Sequence, residues 1–346
     1  MNHDPLSDVL SSVRLSGAVF YSVSCARTWV AESPPSRGLA DALCPGAEHV
    51  IAYHLIVKGS CWVAVDGLPP RHFDAGDIVM FPHGDAHALS SAPGMRAEGE
   101  DQSWRSETRD FPKPILVAMR DGVCELGAEL PAAETDTVLV CGFIRCDLRP
   151  FNPLIGALPR VMHLPSSGVG AWVAPMLGQA VAESRHRRAG SAAMLERVSE
   201  MVFVDAARRH LESLPAEGGE GWLGALRDRH VGRAISLMHE RPAEAWTVDS
   251  LGHAVGLSRS ALHERFLGRV GMPPMQYLVN WRMQVGAKLL RESRATVAAI
   301  ALETGYESEA AFSRAFKRVT GLPPAAWRRV QQLGGNVKFA RSEVVP

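Results

Sequence analysis

The chain has 346 residues, about twice a common domain length, and its 46% hydrophobic content supplies two ordinary cores, which excludes an intrinsically disordered protein. The 37 basic residues balance 37 acidic ones, which excludes a uniformly basic coat for a polyanion. Nowhere do about 18 apolar residues run without a charge, and MNHDPLSDVLSSVRL lacks a basic start followed by an apolar run, so the expectation is a cytoplasmic protein with no membrane partner.

Cys25, Cys44, Cys61, Cys124, Cys141 and Cys146 are scattered without a C-x-x-C, which points away from a disulfide scaffold and from a zinc finger. From Val13 to Leu89, short β-branched and aromatic runs (AVFYSV, HVIAYHLIV, CWVAV, HFDAGDIVMF) are broken by Gly and Pro, the pattern of an antiparallel barrel or sandwich. Asp66-Gly67 after Val63 and Val65 predicts a tight hairpin turn with positive φ angles. Gly76, Pro82, Gly84 and His87 in GDIVMFPHGDAHALS have the spacing of the second motif of the cupin barrels, which this stretch resembles.

Metal-binding cupins carry two His and a Glu in their first motif and a further His in the second. Here the first motif is eroded: the Glu position, counted back from Gly59, holds Ala52, and no H-x-H pair precedes it. His54 lies two residues on, so strand alternation turns it to the face of Ala52, inward. Two readings stay open. His54 and His87, with Asp85 or Cys141, hold a divalent metal ion or an effector's polar group, or they hydrogen-bond within a filled barrel. A metal-dependent cupin enzyme with a regulatory helical tail is the alternative function, and the usual four-ligand set is missing for it.

TVLVCGFIRCDL continues the strand pattern, and NPLIGALPRVMHL turns through Pro153 and Pro159. With the earlier runs, residues 5–165 resemble the cupin-type sensory domain at the front of AraC-family regulators. That resemblance implies binding of a small molecule, or oligomerisation. From Trp172 helical spacing takes over: Leu195, Val198, Met201, Val202 and Leu211 form a stripe beside charges such as Arg187, Arg188, Glu196, Arg197, Arg208 and Arg209, predicting helices over 170–186 and 190–213. The resemblance implies that such helices pack on the barrel and form a homodimer contact. LPAEGGEGW, residues 214–222, reads as a linker.

The remaining chain writes one pattern twice. Residues 247–271 (TVDSLGHAVGLSRSALHERFLGRVG) and 296–321 (TVAAIALETGYESEAAFSRAFKRVTG) each open on Thr-Val, pass a small-residue helix, reach a turn of Gly, hydrophobe and Ser, and end in a helix carrying Phe. Leu226 to His239 reads as a preceding helix. Thr247 and Ser258 are expected N-caps, with Leu251, Ala254 and Val255 buried and Gly256 leaving the helix at positive φ. The second helix buries Leu262 and Phe266 and turns Arg259, Ser260, His263 and Glu264 outward, toward base edges in a major groove. In the second copy Ser308 caps a helix burying Phe312 and Phe316. Glu309, Ala310, Ser313 and Arg314 face out, and Lys317 and Arg318 suit phosphate.

Residues 274–290 predict one helix of about 25 Å, a bar able to set two readers near one DNA turn apart. Residues 227–330 carry 16 Arg and Lys against 9 Asp and Glu, net +7, so the balanced total hides one segment suited to a polyanion. GYES-x-x-x-FSR-x-FKR and the closing GLPPAAWRR make this region resemble the DNA-binding domain of the AraC/XylS regulators. Glu264 departs from that pattern: a carboxylate there repels phosphate while able to accept from cytosine N4.

The expected architecture is an α+β multidomain chain: an N-terminal antiparallel cupin-like β-barrel for effector or oligomeric contact (1–165), a helical dimerisation and packing segment (166–213), a linker (214–222) and an all-α double helix–turn–helix (223–335). The expected function is a sequence-specific DNA-binding transcription regulator without catalysis. Its expected partners are double-stranded promoter DNA, a small-molecule effector, RNA polymerase and a second copy of the chain.

Overall fold

A computed structural model describes residues 3–36, 47–97, 114–167, 172–185, 189–215 and 219–332. Arg187, Arg188 and the 216–218 part of the expected linker lie outside the described residues. The chain divides into two compact units, one of Leu15–Cys146 with Pro159–His210 and one of Met1–Arg14, Asp147–Leu158 and Leu211–Pro346.

The first unit carries β1 (Leu15–Ala26), β2 (Val30–Ser33), β3 (His49–Lys58), β4 (Ser60–Val65), β5 (Arg71–Asp74), β6 (Ile78–Phe81), β7 (His87–Ser90), β8 (Ile115–Arg120), β9 (Val123–Leu126), β10 (Thr137–Cys146) and β11 (Met162–Leu164). They form a seven-stranded sheet, ordered β11-β6-β3-β10-β1-β8-β9, and a four-stranded sheet, ordered β2-β7-β4-β5. Two points correct the expected antiparallel barrel. The strands make two separate sheets, and β1 runs parallel to β8 from Tyr21↔Ile115 to Ala26↔Arg120. Side-chain alternation is the same in parallel and antiparallel pairs, and the long chain between Ser90 and Ile115 allows the crossover that a parallel pair needs.

Tyr21, Val23, Val50, Ala52, Ile56, Val63, Phe73, Phe81, Leu89 and Phe143 belong to one buried apolar cluster that draws on both sheets. The turn after β4 is wider than expected. β5 begins only at Arg71, and of Asp66 and Gly67 only Gly67 has positive φ.

Two helices follow, α2 (Val173–Arg185) and α3 (Ser191–Ser213). α3 buries Leu195, Val198, Ser199, Val202 and Phe203 at helical spacing, whereas Met201, expected in that stripe, is exposed. Tyr53 of β3 and Ser199 share a 2.7 Å hydroxyl hydrogen bond, and Ser16 donates to Glu196 at 2.6 Å, so α3 lies on β1 and β3.

The second unit is helical. It contains α1 (Pro5–Ser12), α4 (Gly221–Arg227), α5 (Val231–Glu240), α6 (Val248–Val255), α7 (Arg259–Val270), α8 (Pro274–Glu292), α9 (Val297–Glu303), α10 (Glu309–Thr320) and α11 (Pro324–Gln332). The helix expected over Leu226–His239 is two helices. Asp228 interrupts it by accepting the backbone N–H groups of His230 and Val231, both at 3.0 Å, which caps α5. Nor does the linker reach residue 222. Trp222 is buried in α4 and donates its indole N–H to the Tyr277 hydroxyl at 2.8 Å.

α1, expected with the strands, lies in this helical unit. Gln284 of α8 donates to the Ser12 carbonyl at 3.0 Å and accepts the Phe151 N–H at 3.0 Å, so both ends of a buried amide are matched. His239 closes a polar relay. Its Nδ1–H donates to Asp8 at 3.1 Å and its Nε2 accepts from the Tyr277 hydroxyl at 2.8 Å. Burial pushes the His239 imidazole below its ordinary range even though Asp8 pulls the other way.

Candidate nucleic-acid interface and effector site

In the first copy, Thr247 and Ser250 cap α6 reciprocally: Thr247 Oγ1 accepts the Ser250 N–H at 3.0 Å, and Ser250 Oγ accepts the Thr247 N–H at 2.9 Å. This eight-residue helix buries Leu251 and Gly252. Ala254, expected inside, is exposed, and Val255 is half-buried; the turn passes directly over Gly252, where a Cβ would stand 2.8 Å from the Leu257 carbonyl. Gly256 leaves the helix at φ 74°, a left-handed conformation that costs glycine no steric clash. Ser258 accepts the Ala261 N–H and starts α7, which buries Leu262 and Phe266.

In the second copy, Thr296 accepts the Ala299 N–H, Ile300 and Ala301 are buried, and Gly305 turns at φ 79°. Its turn is one residue longer, since Glu307 stands between Tyr306 and the cap Ser308. Ser308 accepts the Ala311 N–H at 3.2 Å. α10 buries Phe312, Ala315, Phe316 and Thr320.

α8, with 19 residues, is the bar, and at 1.5 Å per residue it is about 28 Å long. Its first half meets the first copy, with Tyr277 edge-on to Phe266 at 5.6 Å between ring centroids. Its second half supplies Met283, Ala287 and Leu290 to a cluster with Ile300, Phe312, Phe316 and Trp327. Gly286 explains the one apparent breaker in the bar, because a Cβ there would lie 2.9 Å from the Phe312 ring.

Every outward residue expected on the two reading helices is at the surface. Arg259, Ser260, His263, Glu264, Ser308, Glu309, Ala310, Arg314, Lys317 and Arg318 are exposed, and Ser313 is half-buried. Arg265 on the same helix as Arg259 is also exposed, but its guanidinium donates to Asp228 at 2.8 Å. Burial raises the Asp228 carboxyl, but the Val231 and His230 N–H groups and Arg265 outweigh it and hold it below the usual carboxylate range. The sequence signal for Asp228 is a helix-cap residue just ahead of the apolar run from Val231. Arg282 is also engaged internally, donating to the carbonyls of Pro242 at 2.7 Å and Glu244 at 2.8 Å.

In the strand-rich unit, His54 of β3 and His87 of β7 are both buried, and their Nε2 atoms lie 2.8 Å apart, a hydrogen bond that joins the two sheets. His87 Nδ1 is 2.8 Å from the Asp85 carbonyl, which can only accept, so His87 Nδ1 carries the proton. With both rings neutral, His87 Nε2 accepts and His54 Nε2 donates. That leaves the lone pair of His54 Nδ1 buried without a partner. Burial, reinforced by His87, pushes His54 well below the usual imidazole range. Phe81 stacks on His87 at 3.7 Å.

Cys141 is the β10 register partner of His54, and burial raises its thiol pKa. Asp85 does not join the pair, because its carboxylate accepts from Arg160 at 2.8 Å and 3.1 Å. These residues do not fit a metal centre. The two imidazole nitrogens are spent on each other, Asp85 gives one oxygen to arginine while its other oxygen is buried without a partner, and among the described residues no three His, Cys, Asp or Glu side chains are grouped to share an ion. No described helix is long and apolar enough to cross a membrane.

Comparison with known proteins agrees with this two-part arrangement. A family model described as cupin matches residues 4–212, and one described as a helix-turn-helix domain matches residues 251–330. The chain is 30% identical over 332 residues to a putative AraC-like transcription regulator of Streptomyces lividans, covering 94% of this chain and 98% of that protein. It is 26% identical over 287 residues to the HTH-type transcriptional regulator AlkR of Acinetobacter baylyi, covering 82% of this chain and 89% of that one. A solved structure of the DNA-binding domain of AdpA in complex with a target DNA is similar at 27% identity, with a TM-score of 0.30, over 31% of this chain and 95% of that chain. These relatives are regulators, and the metal-dependent enzyme expected as the alternative finds no support in them or in the donor set.

Proposed function

Because the chain belongs to the AraC-like family of DNA-binding transcription regulators, we propose that α7 and α10 are its two readers of double-stranded promoter DNA. The observation that carries this reading is the pair of capped helix–turn–helix units joined by α8, each with its polar face exposed. Arg259, Arg314, Lys317 and Arg318 are exposed, and no carboxylate pairs with them among the described residues, so their charge is available to a phosphate or a base edge. In this reading Ser260, His263, Glu264, Ser308, Glu309, Ala310 and Ser313 complete the two faces.

The test is selection of duplexes from a random DNA pool by the full chain, followed by affinity measurement on the selected site. Arg314→Ala costs about 1–3 kcal/mol if Arg314 reads a base. Unchanged affinity and unchanged site preference would remove Arg314 from the interface.

The same proposal assigns the His54–His87 pair and Cys141 to a small-molecule effector carrying a hydrogen-bond donor, because the His54 Nδ1 lone pair is a buried acceptor lacking one. It assigns α2 and α3 to a homodimer contact, on the exposure of Trp172, Met176, Met194 and Met201. Sedimentation of a Met176→Glu, Met194→Glu variant checks that contact. Work in the cytoplasm beside RNA polymerase completes the reading.

A further inference from the structure

Arg265 sits in the middle of the first reading helix, and although its side chain is 40% exposed its guanidinium is held by Asp228. The Asp228 side chain is 4% exposed, and every part of it is engaged. One oxygen accepts the N–H groups of His230 and Val231, and the other accepts Arg265, with Arg269 Nε at 3.8 Å. The neighbouring His230 holds the other helix of the same unit, its Nδ1 donating to the Val255 carbonyl at the end of α6 at 2.7 Å. The turn 228–230 therefore grips both helices of the first helix–turn–helix.

The second copy has no counterpart. Counted from the caps Ser258 and Ser308, the position of Arg265 is taken by Ala315 and that of Arg269 by Val319. Ala315 and Val319 pack on the apolar cluster of α8, α9 and α11.

We propose that Asp228 is a positioning residue for DNA recognition: it anchors Arg265, keeps that guanidinium off the phosphates, and sets α7 at the angle from which Arg259, Ser260 and His263 address bases. This rests on the reading of α7 and α10 as the two DNA readers. It adds that the first reader is seated by an ion pair as well as by Leu262 and Phe266, and the second by apolar packing. A carboxylate fixed on both oxygens adds directional bonds to the packing of Leu262 and Phe266, so the orientation of α7 depends on them, whereas that of α10 depends on the packing of Phe312 and Phe316. Moving a reading helix by a fraction of its side-chain length degrades base discrimination before it degrades phosphate attraction.

The experiment repeats the random-duplex selection with the full-length Asp228→Asn, Arg265→Gln and double variants. Arg259→Ala and Arg314→Ala identify which block of the selected sequence each helix reads. Ile235→Val, which loosens α5 without touching the carboxylate, controls for general destabilisation. The expected result is that Asp228→Asn flattens the Arg259 block by roughly tenfold per position while the Arg314 block keeps its preference. Arg265→Gln does the same, and the double variant is no worse than either single one, because the two residues act as one unit.

Equal loss in both blocks, no loss in either, or the same block-selective loss in Ile235→Val overturns the proposal. Additive losses in the double variant also overturn it, since they place Arg265 on the DNA. If Asp228→Asn does not fold, Arg265→Gln leaves α5 capped and keeps the outcome readable. A wild-type protein that selects no two-block sequence refutes the underlying reading of the two helices, a different failure from loss of block selectivity in the variants.

Discussion

Gly286 puts two well-characterised effects in direct opposition. It lies inside α8, where replacing glycine by alanine ordinarily gains about 1 kcal/mol through backbone entropy and helix propensity. A methyl carbon added at Gly286, however, would stand 2.9 Å from two carbons of the Phe312 ring and 3.8 Å from Thr304 Cγ2. Phe312 is fully buried, edge-on to Tyr306 at 5.6 Å and tilted against Phe316 at 5.4 Å, so its ring cannot swing aside without displacing both neighbours. Overpacking of this kind costs roughly 1–3 kcal/mol, which outweighs the propensity gain.

Gly286→Ala is therefore expected to lose about 1 kcal/mol net, read as a lower urea midpoint at unchanged slope, and to weaken DNA binding because Phe312 seats α10. Gly268→Ala is the matched comparison, since a Cβ there meets nothing within 4 Å and α7 gains propensity alone, a few tenths of a kcal/mol to about 1. If Gly286→Ala raises the midpoint alongside Gly268→Ala, the packing of Phe312 against the bar does not constrain the second reader as described.

Three further outcomes follow from particular contacts. Ser308→Ala removes the acceptor of the Ala311 N–H and should cost about 1 kcal/mol, with weakened binding to the selected duplex, as titration would show. Gln284→Leu leaves the Phe151 N–H buried without its acceptor and the Ser12 carbonyl with Arg291 alone at 3.3 Å, and about 1–3 kcal/mol should be lost in urea unfolding. Acidification from pH 7 to 5 should lower stability. His54 and His239 have folded pKa values below the ordinary 6.5, so the unfolded chain binds protons first, and stability falls below pH 6.5 by up to about 1.4 kcal/mol per unit for each group until its folded pKa is passed. Asp8, Asp77 and Asp228 titrate below their ordinary 3.8 in the folded chain, so their contribution is intact throughout that window and is lost only in stronger acid. His54→Gln should flatten the pH dependence, and an unchanged slope would show that His54 is not a buried neutral base.

What can be read in the sequence is local. The caps at Thr247, Ser258 and Ser308 and the left-handed Gly256 depend on residues within a few positions, and all are in place. Alternation alone turns His54 inward, and it is buried. What cannot be read has long separations or ambiguous periodicity. Asp8 meets His239 across 231 positions and Gln284 meets Ser12 across 272, polar pairs that leave no periodic trace. The parallel direction of β8 is silent in alternation. Arg265 reads as one more solvent-facing cation, because its partner Asp228 is 37 residues away.

The two copies of the helix–turn–helix differ in a connected way once they are aligned on their caps. Arg259 falls opposite Glu309 and Glu264 opposite Arg314, so the charges at these two face positions are exchanged between the copies. Leu267 and Gly268 fall opposite Lys317 and Arg318, which gives the second reader two cations at its far end that the first lacks. Beneath those faces, α7 buries Leu262 and Phe266, while α10 buries Phe312, Ala315, Phe316 and Thr320. Each helix thus buries two large apolar side chains, worth roughly 1.5–3 kcal/mol apiece, and α10 adds Ala315 and Thr320 where α7 has Arg265 and Val270. Attraction to phosphate pulls on whatever carries the cations, and only a firmly packed helix turns that pull into binding rather than into its own displacement. Each helix carries three cations and one carboxylate, but Arg265 and Arg269 of the first are drawn to Asp228, which leaves Arg259 as its cation without a carboxylate partner among the described residues, and the directional bonds of Asp228 hold its angle. On the proposed reading, phosphate attraction leans on α10, whose three cations have no carboxylate partner among the described residues, and the angle of α7 leans on Asp228, a division that a duplicated motif acquires once one copy turns two of its cations to its own seat.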